Sequence, residues 1–296
     1  MFDRKLPIGI QDFAKLRLGN FLYIDKTRYL YELVNLNIPY FISRPRRFGK
    51  SLFLSTLREY FLGKKELFEG LTIAEYEKDW TPYPVIYIDM SVGILTDVDS
   101  LLRRLGVILD ELENQWGKTV NDNDPATRFF SVIRNASEKT GKKVVVLVDE
   151  YDKPLLSTLG NETVNDAISE VLKGFYGILK SADAYLHFIF LTGVTKFSKV
   201  SVFSDLNNLT DISLEFEYAG ICGISETELL KYFQPEIKNL SEKLNLSYET
   251  TLAELKEYFD GYHFCENTEG IYNPFSILKT FKSGKFRNYW YETGTP

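Results

Sequence analysis

Apolar positions along the chain fall into short continuous runs separated by longer stretches with helical spacing. Tyr40 to Ser43, Val85 to Asp89, Val144 to Val148 and His187 to Leu191 predict strands, with a weaker fifth at Leu214 to Phe216. Val144-Val145-Val146-Leu147-Val148 carries no polar alternate, as expected of a strand covered on both faces of a parallel sheet. From Ser51 onward, Phe53, Leu57 and Phe61 recur every fourth residue, and Gly63 is placed to end that helix. Leu101 to Trp116 and Val164 to Ser181 also predict helices. Strand and helix in alternation imply an α/β fold, a central mainly parallel sheet flanked by helices.

Beyond about residue 220 the pattern changes. Ser225 and Glu228 form a capping box that opens a helix toward Phe233. Thr251 to Phe259 predicts another helix, stopping near Gly261. Asn273-Pro274 supplies an N-cap and a first-turn proline for a third, ending near Ser283-Gly284. The expected organisation is a core domain over 1–220, N-terminal extension included, and a small, mainly helical C-terminal domain over 221–296. The aromatic end, Tyr289 to Pro296, suits either an excerpt from a longer protein or a tail docked on the domain.

Bulk properties narrow the setting. A formal net charge of −6 argues against a broadly basic nucleic-acid-binding face, so nucleic acid is not expected through this domain alone. Two cysteines make no disulfide framework, and no run reaches the roughly 18 to 20 apolar residues a membrane span needs. A cytoplasmic protein without membrane association is expected. With 22 Phe and 19 Tyr the chain is rich in aromatics, which hints at partner surfaces without naming one; a homo-oligomer stands separately among the candidate partners.

Candidate chemistry begins after the first strand. In Arg44-Pro45-Arg46-Arg47-Phe48-Gly49-Lys50-Ser51, the last three residues match the end of a phosphate-binding loop. Gly49 lets the backbone approach a phosphate, and amides at the helix start point at the anion. Lys50 is placed to reach the β- and γ-phosphates, and the Ser51 hydroxyl to ligate magnesium. The nucleotide-binding segment is taken as Arg46, Arg47, Phe48, Gly49, Lys50, Ser51 and Leu52. Arg44 stands where the loop's first glycine is usual. The three arginines either touch phosphates, here or on a neighbouring subunit, or hold the loop in shape.

About a hundred residues later, Val148 runs into Asp149-Glu150-Tyr151-Asp152. A carboxylate ending a buried strand suits magnesium, which assigns Asp149 to the metal beside Ser51. Glu150 suits a general base that polarises the attacking water. Asp89, ending another apolar run, is the rival for the metal. Asp152 either assists the metal shell or caps the following helix, and capping is favoured. Thr192, after the strand His187 to Leu191, is a candidate sensor between the acids and the γ-phosphate, with Lys196 a weaker phosphate contact and a plain turn the alternative to both. His187, His263, Cys222 and Cys265 make no usual zinc pattern. Tyr258, Phe259, Tyr262 and Phe264 are most simply the core of the small domain.

Together with Leu6-Pro7-Ile8-Gly9, Asp25-Lys26-Thr27 and Asn273-Pro274-Phe275-Ser276, these motifs make the chain resemble the bacterial AAA-ATPase-like family. The resemblance implies a P-loop NTPase that binds ATP with Mg²⁺, carries Walker A and Walker B motifs, and has Lys50, Ser51, Asp149 and Glu150 at the nucleotide. It makes Arg44 a family trait. Members often carry a C-terminal nuclease of the PD-(D/E)XK superfamily; no nuclease set stands within these residues, so such an effector would follow Pro296. Asp25-Lys26-Thr27 either approaches the nucleotide base or locks the N-terminal segment onto the domain. The expected function is an ATP-hydrolysing switch that regulates an attached or associated effector. The alternatives are a non-hydrolysing nucleotide-binding or scaffold module and a small-molecule kinase.

Overall fold

A computed structural model describes residues 5–195, 206, 208–266 and 268–289. Five parallel strands, β1 (Tyr40–Ser43), β2 (Val85–Asp89), β3 (Val144–Asp149), β4 (Leu186–Gly193) and β5 (Thr210–Asp211), form one sheet in the order β2-β3-β4-β1-β5. The α/β class expected from the sequence is what the chain adopts. The fifth strand is not Leu214 to Phe216. Thr210 and Asp211 pair with Tyr40 and Phe41, while Phe216–Tyr218 winds into a 3₁₀ turn. Leu214 and Phe216 are exposed, so their hydrophobicity does not mark a buried strand.

The unbroken apolar run of β3 supplies both faces of the sheet. Val144, Val146 and Val148 point to one side, with Ile86, Ile88, Ile189 and Leu191. There α5 (Val98–Trp116), α6 (Pro125–Thr140), α7 (Lys153–Ser157) and α8 (Glu162–Ser181) cover them. Val145 and Leu147 point to the other side, under α1 (Phe13–Leu18), α2 (Thr27–Leu36), α3 (Lys50–Phe61) and the short α4 (Ile73–Tyr76). Side chains alternate across a strand, so two helix layers require two apolar sets in one run.

The C-terminal elements are β6 (Ile224–Ser225), α9 (Glu226–Tyr232), α10 (Gln234–Leu244), α11 (Tyr248–Phe259), β7 (Asp260–Tyr262), β8 (Ile271–Tyr272) and α12 (Pro274–Ser283). Four helices are joined by a small antiparallel sheet, β6-β8-β7, that the periodicity did not reveal. Both expected caps are present: Ser225 and Glu228 close a capping box, and Asn273 caps α12 ahead of Pro274. The third core, around Ile224, Phe233, Leu255 and Ile277, also receives Leu6, Ile8, Leu22 and Ile24 from the N-terminal segment. That segment therefore lies between the parallel sheet and the C-terminal elements.

The aromatic group near residue 260 divides. Phe259 enters the C-terminal core and Tyr258 is half exposed. Tyr262 and Phe264 instead pack on the core beneath the loop that follows β1. Trp290 to Pro296 and Lys196 lie outside the described residues.

Candidate functional site

The sheet brings together residues that lie far apart in the chain. Across its carboxyl edge Asp89 pairs in register with Asp149, and Ser43 with Gly193. The loop after β1 and the acids after β3 thus open on one edge, where α/β sheets bind ligands. Gly49 holds φ 96 at the N-cap of α3. A Cβ there would meet nothing within 4 Å, so the backbone conformation, not crowding, calls for glycine. Beyond it the first-turn amides of α3 have no helical partner and form an anion-binding end.

Lys50 is buried, and its ammonium donates to the carbonyls of Arg44 (2.9 Å) and Pro45 (3.2 Å), so the loop wraps its own lysine. Burial lowers its pKa, while Glu150 and Asp149 oppose that shift. Arg44, 1% exposed, holds the loop in shape. Its guanidinium donates to the carbonyls of Ser43, Ser213 and Tyr218 at 2.9, 2.6 and 3.1 Å. It also lies 4.0 Å over the Phe264 ring. The position usual for glycine is filled by a buried strut. Arg47, at φ 68, lies 4.0 Å over the Phe275 ring, and the positive charge of Arg46 acts on Glu150. The Phe48 ring is buried, and Leu52 packs partly buried on the same core.

At the acidic edge, the Thr192 hydroxyl donates to Asp149 Oδ1 (2.5 Å) and accepts from the Glu150 amide (3.2 Å). Fully buried, it orients the Asp149 carboxylate and fixes the backbone at Glu150. Glu150 sits at φ 51; burial raises its pKa, Asp149 and Asp152 add to the shift, and Lys50 counters it. Asp152 occupies the cap position of α7 but makes no side-chain cap bond. Its Oδ2 accepts from the amides of Val194 and Thr195, each at 2.8 Å, and so ties the start of the following loop to β3. Capping, favoured from the sequence, gives way because two convergent amides after β4 outcompete the helix end.

Two cavities meet at this edge. One, of about 360 Å³, is polar and is lined by Ser51, Ser55 and Arg58 of α3, by Tyr87, Asp89 and Ser91, and by Asp149 and Glu150. Arg58 there is engaged by Asp12 (2.9 Å) and Glu59 (2.7 Å). The other, of about 190 Å³, is mainly apolar. It runs from Gly49, Lys50, Ser51 and Leu52 between Pro7, Ile10 and Ile24 of the N-terminal segment and Ile224, Phe275 and Leu278 of the C-terminal elements. Ser51, Glu150 and Gln11 border both cavities. A phosphate chain seated on the α3 amides could place its terminal phosphate toward the acids and its base in the apolar cavity.

Hard oxygen donors suit magnesium, which keeps waters and phosphate oxygens instead of filling an all-protein cage. Ser51 and Asp149 supply such donors, and among the described residues no cluster of three or more His, Cys, Asp or Glu side chains could hold a metal alone. His187 stacks on Tyr83 and His263 bonds the Thr268 carbonyl, so neither joins a ligand set.

The Asp25 motif proves to be a lock. Asp25 accepts from Thr27 and Thr72 through backbone and hydroxyl, at 2.6 to 2.9 Å. Lys26 donates to both carboxylate oxygens of Glu228 (2.6 Å) and to the Gly220 carbonyl (2.7 Å). Three acceptors use all three ammonium protons, although Lys26 borders the apolar cavity.

A family model described as "Predicted AAA-ATPase" matches residues 7–203. An uncharacterized protein in the vnfD 5′ region of Azotobacter chroococcum mcd 1 is 42% identical over 298 residues, covering 100% of this chain. The chain spans 55% of that relative's length. Among solved structures, one of Drosophila ORC bound to GC-rich DNA and Cdc6 aligns over 92% of this chain and 90% of that one, at TM-score 0.32 and 7% identity. So loose a superposition adds nothing to the parallel sheet already described. Among the described residues no helix is long and apolar enough to cross a membrane.

Proposed function

The chain belongs to the predicted AAA-ATPase family, and on that premise we propose that it binds ATP with Mg²⁺, hydrolyses it, and serves as a switch for an attached or associated effector. What carries this is the convergence of Lys50, Ser51, Asp149 and Glu150 on one sheet edge, where an apolar and a polar cavity meet. The α3 amides and Lys50 hold the phosphates. Ser51 and Asp149 hold the metal, which supplies charge neutralisation at the terminal phosphate. Glu150, its affinity for a proton raised by burial, accepts one from the attacking water. Thr192 holds the Asp149 carboxylate and the Glu150 backbone in place. Two free cysteines suit a reducing, cytoplasmic setting. The C-terminal elements, packed on the N-terminal segment that walls the cavity, are the part through which an effector such as a nuclease would sense the nucleotide.

Phosphate release from ATP by the purified chain tests this. Lys50→Ala should abolish ATP binding. Glu150→Gln should keep it and lower turnover by about 10²- to 10⁴-fold. A second reading, a nucleotide-holding module without turnover, is favoured by Lys50's bonds to its own loop carbonyls. Binding with no release of phosphate would establish it.

A further inference from the structure

The phosphate loop is gripped by residues far along the chain. The Phe48 ring meets Tyr262 edge-on at 4.7 Å between centroids and Phe264 at 5.6 Å. The Phe48 carbonyl accepts from the Gly223 amide at 2.9 Å. That approach is tight: Gly223 holds φ 89, and a Cβ there would sit 2.2 Å from Ile271 Cγ2 and 3.2 Å from Phe48 Cδ1. Phe264 also carries the Arg44 guanidinium on its face at 4.0 Å. Arg44 in turn presents the carbonyl that Lys50 binds. Phe264 thus reaches Lys50 through a single intervening residue, and neither Tyr262 nor Phe264 lines the apolar cavity.

We propose that the Tyr262–Phe264 segment is a positioning device for the phosphate loop. It sets how the loop fits a bound polyphosphate, so a displacement of this segment changes nucleotide affinity through the phosphates, whereas Ile224, Phe275 and Leu278 wall the apolar cavity itself. This rests on the nucleotide site proposed above and adds the route of its regulation. Phe264 acts through Arg44: the flat ring fixes the plane of the guanidinium, whose bonds to the Ser43, Ser213 and Tyr218 carbonyls anchor the residue whose own carbonyl Lys50 binds. A ring that served only to fill space would affect binding of every nucleotide alike.

Calorimetric titration of the full chain with ATP and with AMP separates these cases. Phe264→Ala should weaken ATP binding about tenfold, the scale of a desolvated cation–π contact, and leave AMP within about twofold. Phe264→Tyr keeps an aromatic face and should restore ATP affinity. Should Phe264→Ala fail to fold, Phe264→Leu keeps most of the volume but no ring face, and the ATP-to-AMP affinity ratio should fall there too. Equal loss of both ligands, or unchanged ATP affinity, overturns the proposal. A wild-type chain that binds no ATP overturns the underlying site instead.

Discussion

Glu150 shows how one residue can be costly to the fold and useful to the site. Its pKa is raised by burial, so the folded state binds its proton more tightly than the unfolded chain does. In its ionised form it therefore destabilises the fold, and the penalty disappears as pH falls through the raised value. Glu150→Gln should melt higher than wild type near pH 7.5 while losing turnover, and the gap in melting temperature should close on acidification. A mutant that melts lower at neutral pH would contradict this. Asp25 has the opposite sign. Burial opposes its ionisation, yet the bonds from Thr27 and Thr72 prevail and hold its carboxyl below the ordinary range. Its contribution is present above the unfolded value and lost as pH falls through the folded one. Asp25→Asn should cost about 1–3 kcal/mol in urea titration at pH 7, and less in acid. The sequence displayed both acids, but only folding reveals which neighbours surround each.

Elements were legible where the signal was local. β1 and β2 coincide with their apolar runs, and α9 and α12 begin at the caps read from Ser225 and Asn273. The helix α6 carries equally local marks, Asp124-Pro125 at its start, Gly141 at φ 66 at its end and Phe129, Val132, Ile133 and Ala136 at helical spacing between, while Arg128 and Asn135 are buried beside them through polar contacts. Arg128 bonds Glu113 at 2.7 Å and Asp110 at 2.6 Å on α5, so a position that looks like solvent lies inside a helix interface. The small sheet was illegible for a different reason. β6 and β8 are two residues long, too short to show a period, and their pairing is fixed by Gly223 and by packing against Phe48. The site shows the same division. Lys50, Ser51, Asp149 and Glu150 stand in recognisable local motifs, whereas Arg44's partners at Ser213, Tyr218 and Phe264 have no spacing rule. Asp124→Ala should cost about 1 kcal/mol, the usual worth of an N-cap, with the loss confined to α6 in hydrogen exchange.

For the whole molecule the decisive question is how the N-terminal segment, the parallel sheet and the C-terminal elements act as one. Lys26 is the junction. It precedes α2 in the core, while its partner Glu228 belongs to the capping box that opens α9. Both are largely buried, with side-chain exposures of 9% and 19%. A buried pair is weak evidence of net stabilisation, but removing one member strands the other. Lys26→Met should therefore destabilise by about 3–5 kcal/mol. Lys26→Met with Glu228→Gln should recover part of that loss, because no uncompensated charge remains. The cycle, read from urea midpoints with unchanged slopes, should give a coupling of about 0.5–3 kcal/mol. If ATP binds between these parts, it should raise the melting temperature of wild type and double mutant alike by mass action. Ligand stabilisation that survives while the pair's coupling is lost would mean that nucleotide binding does not require the lock. Loss of both together would make Lys26–Glu228 the mechanical link between the apolar cavity and the C-terminal elements.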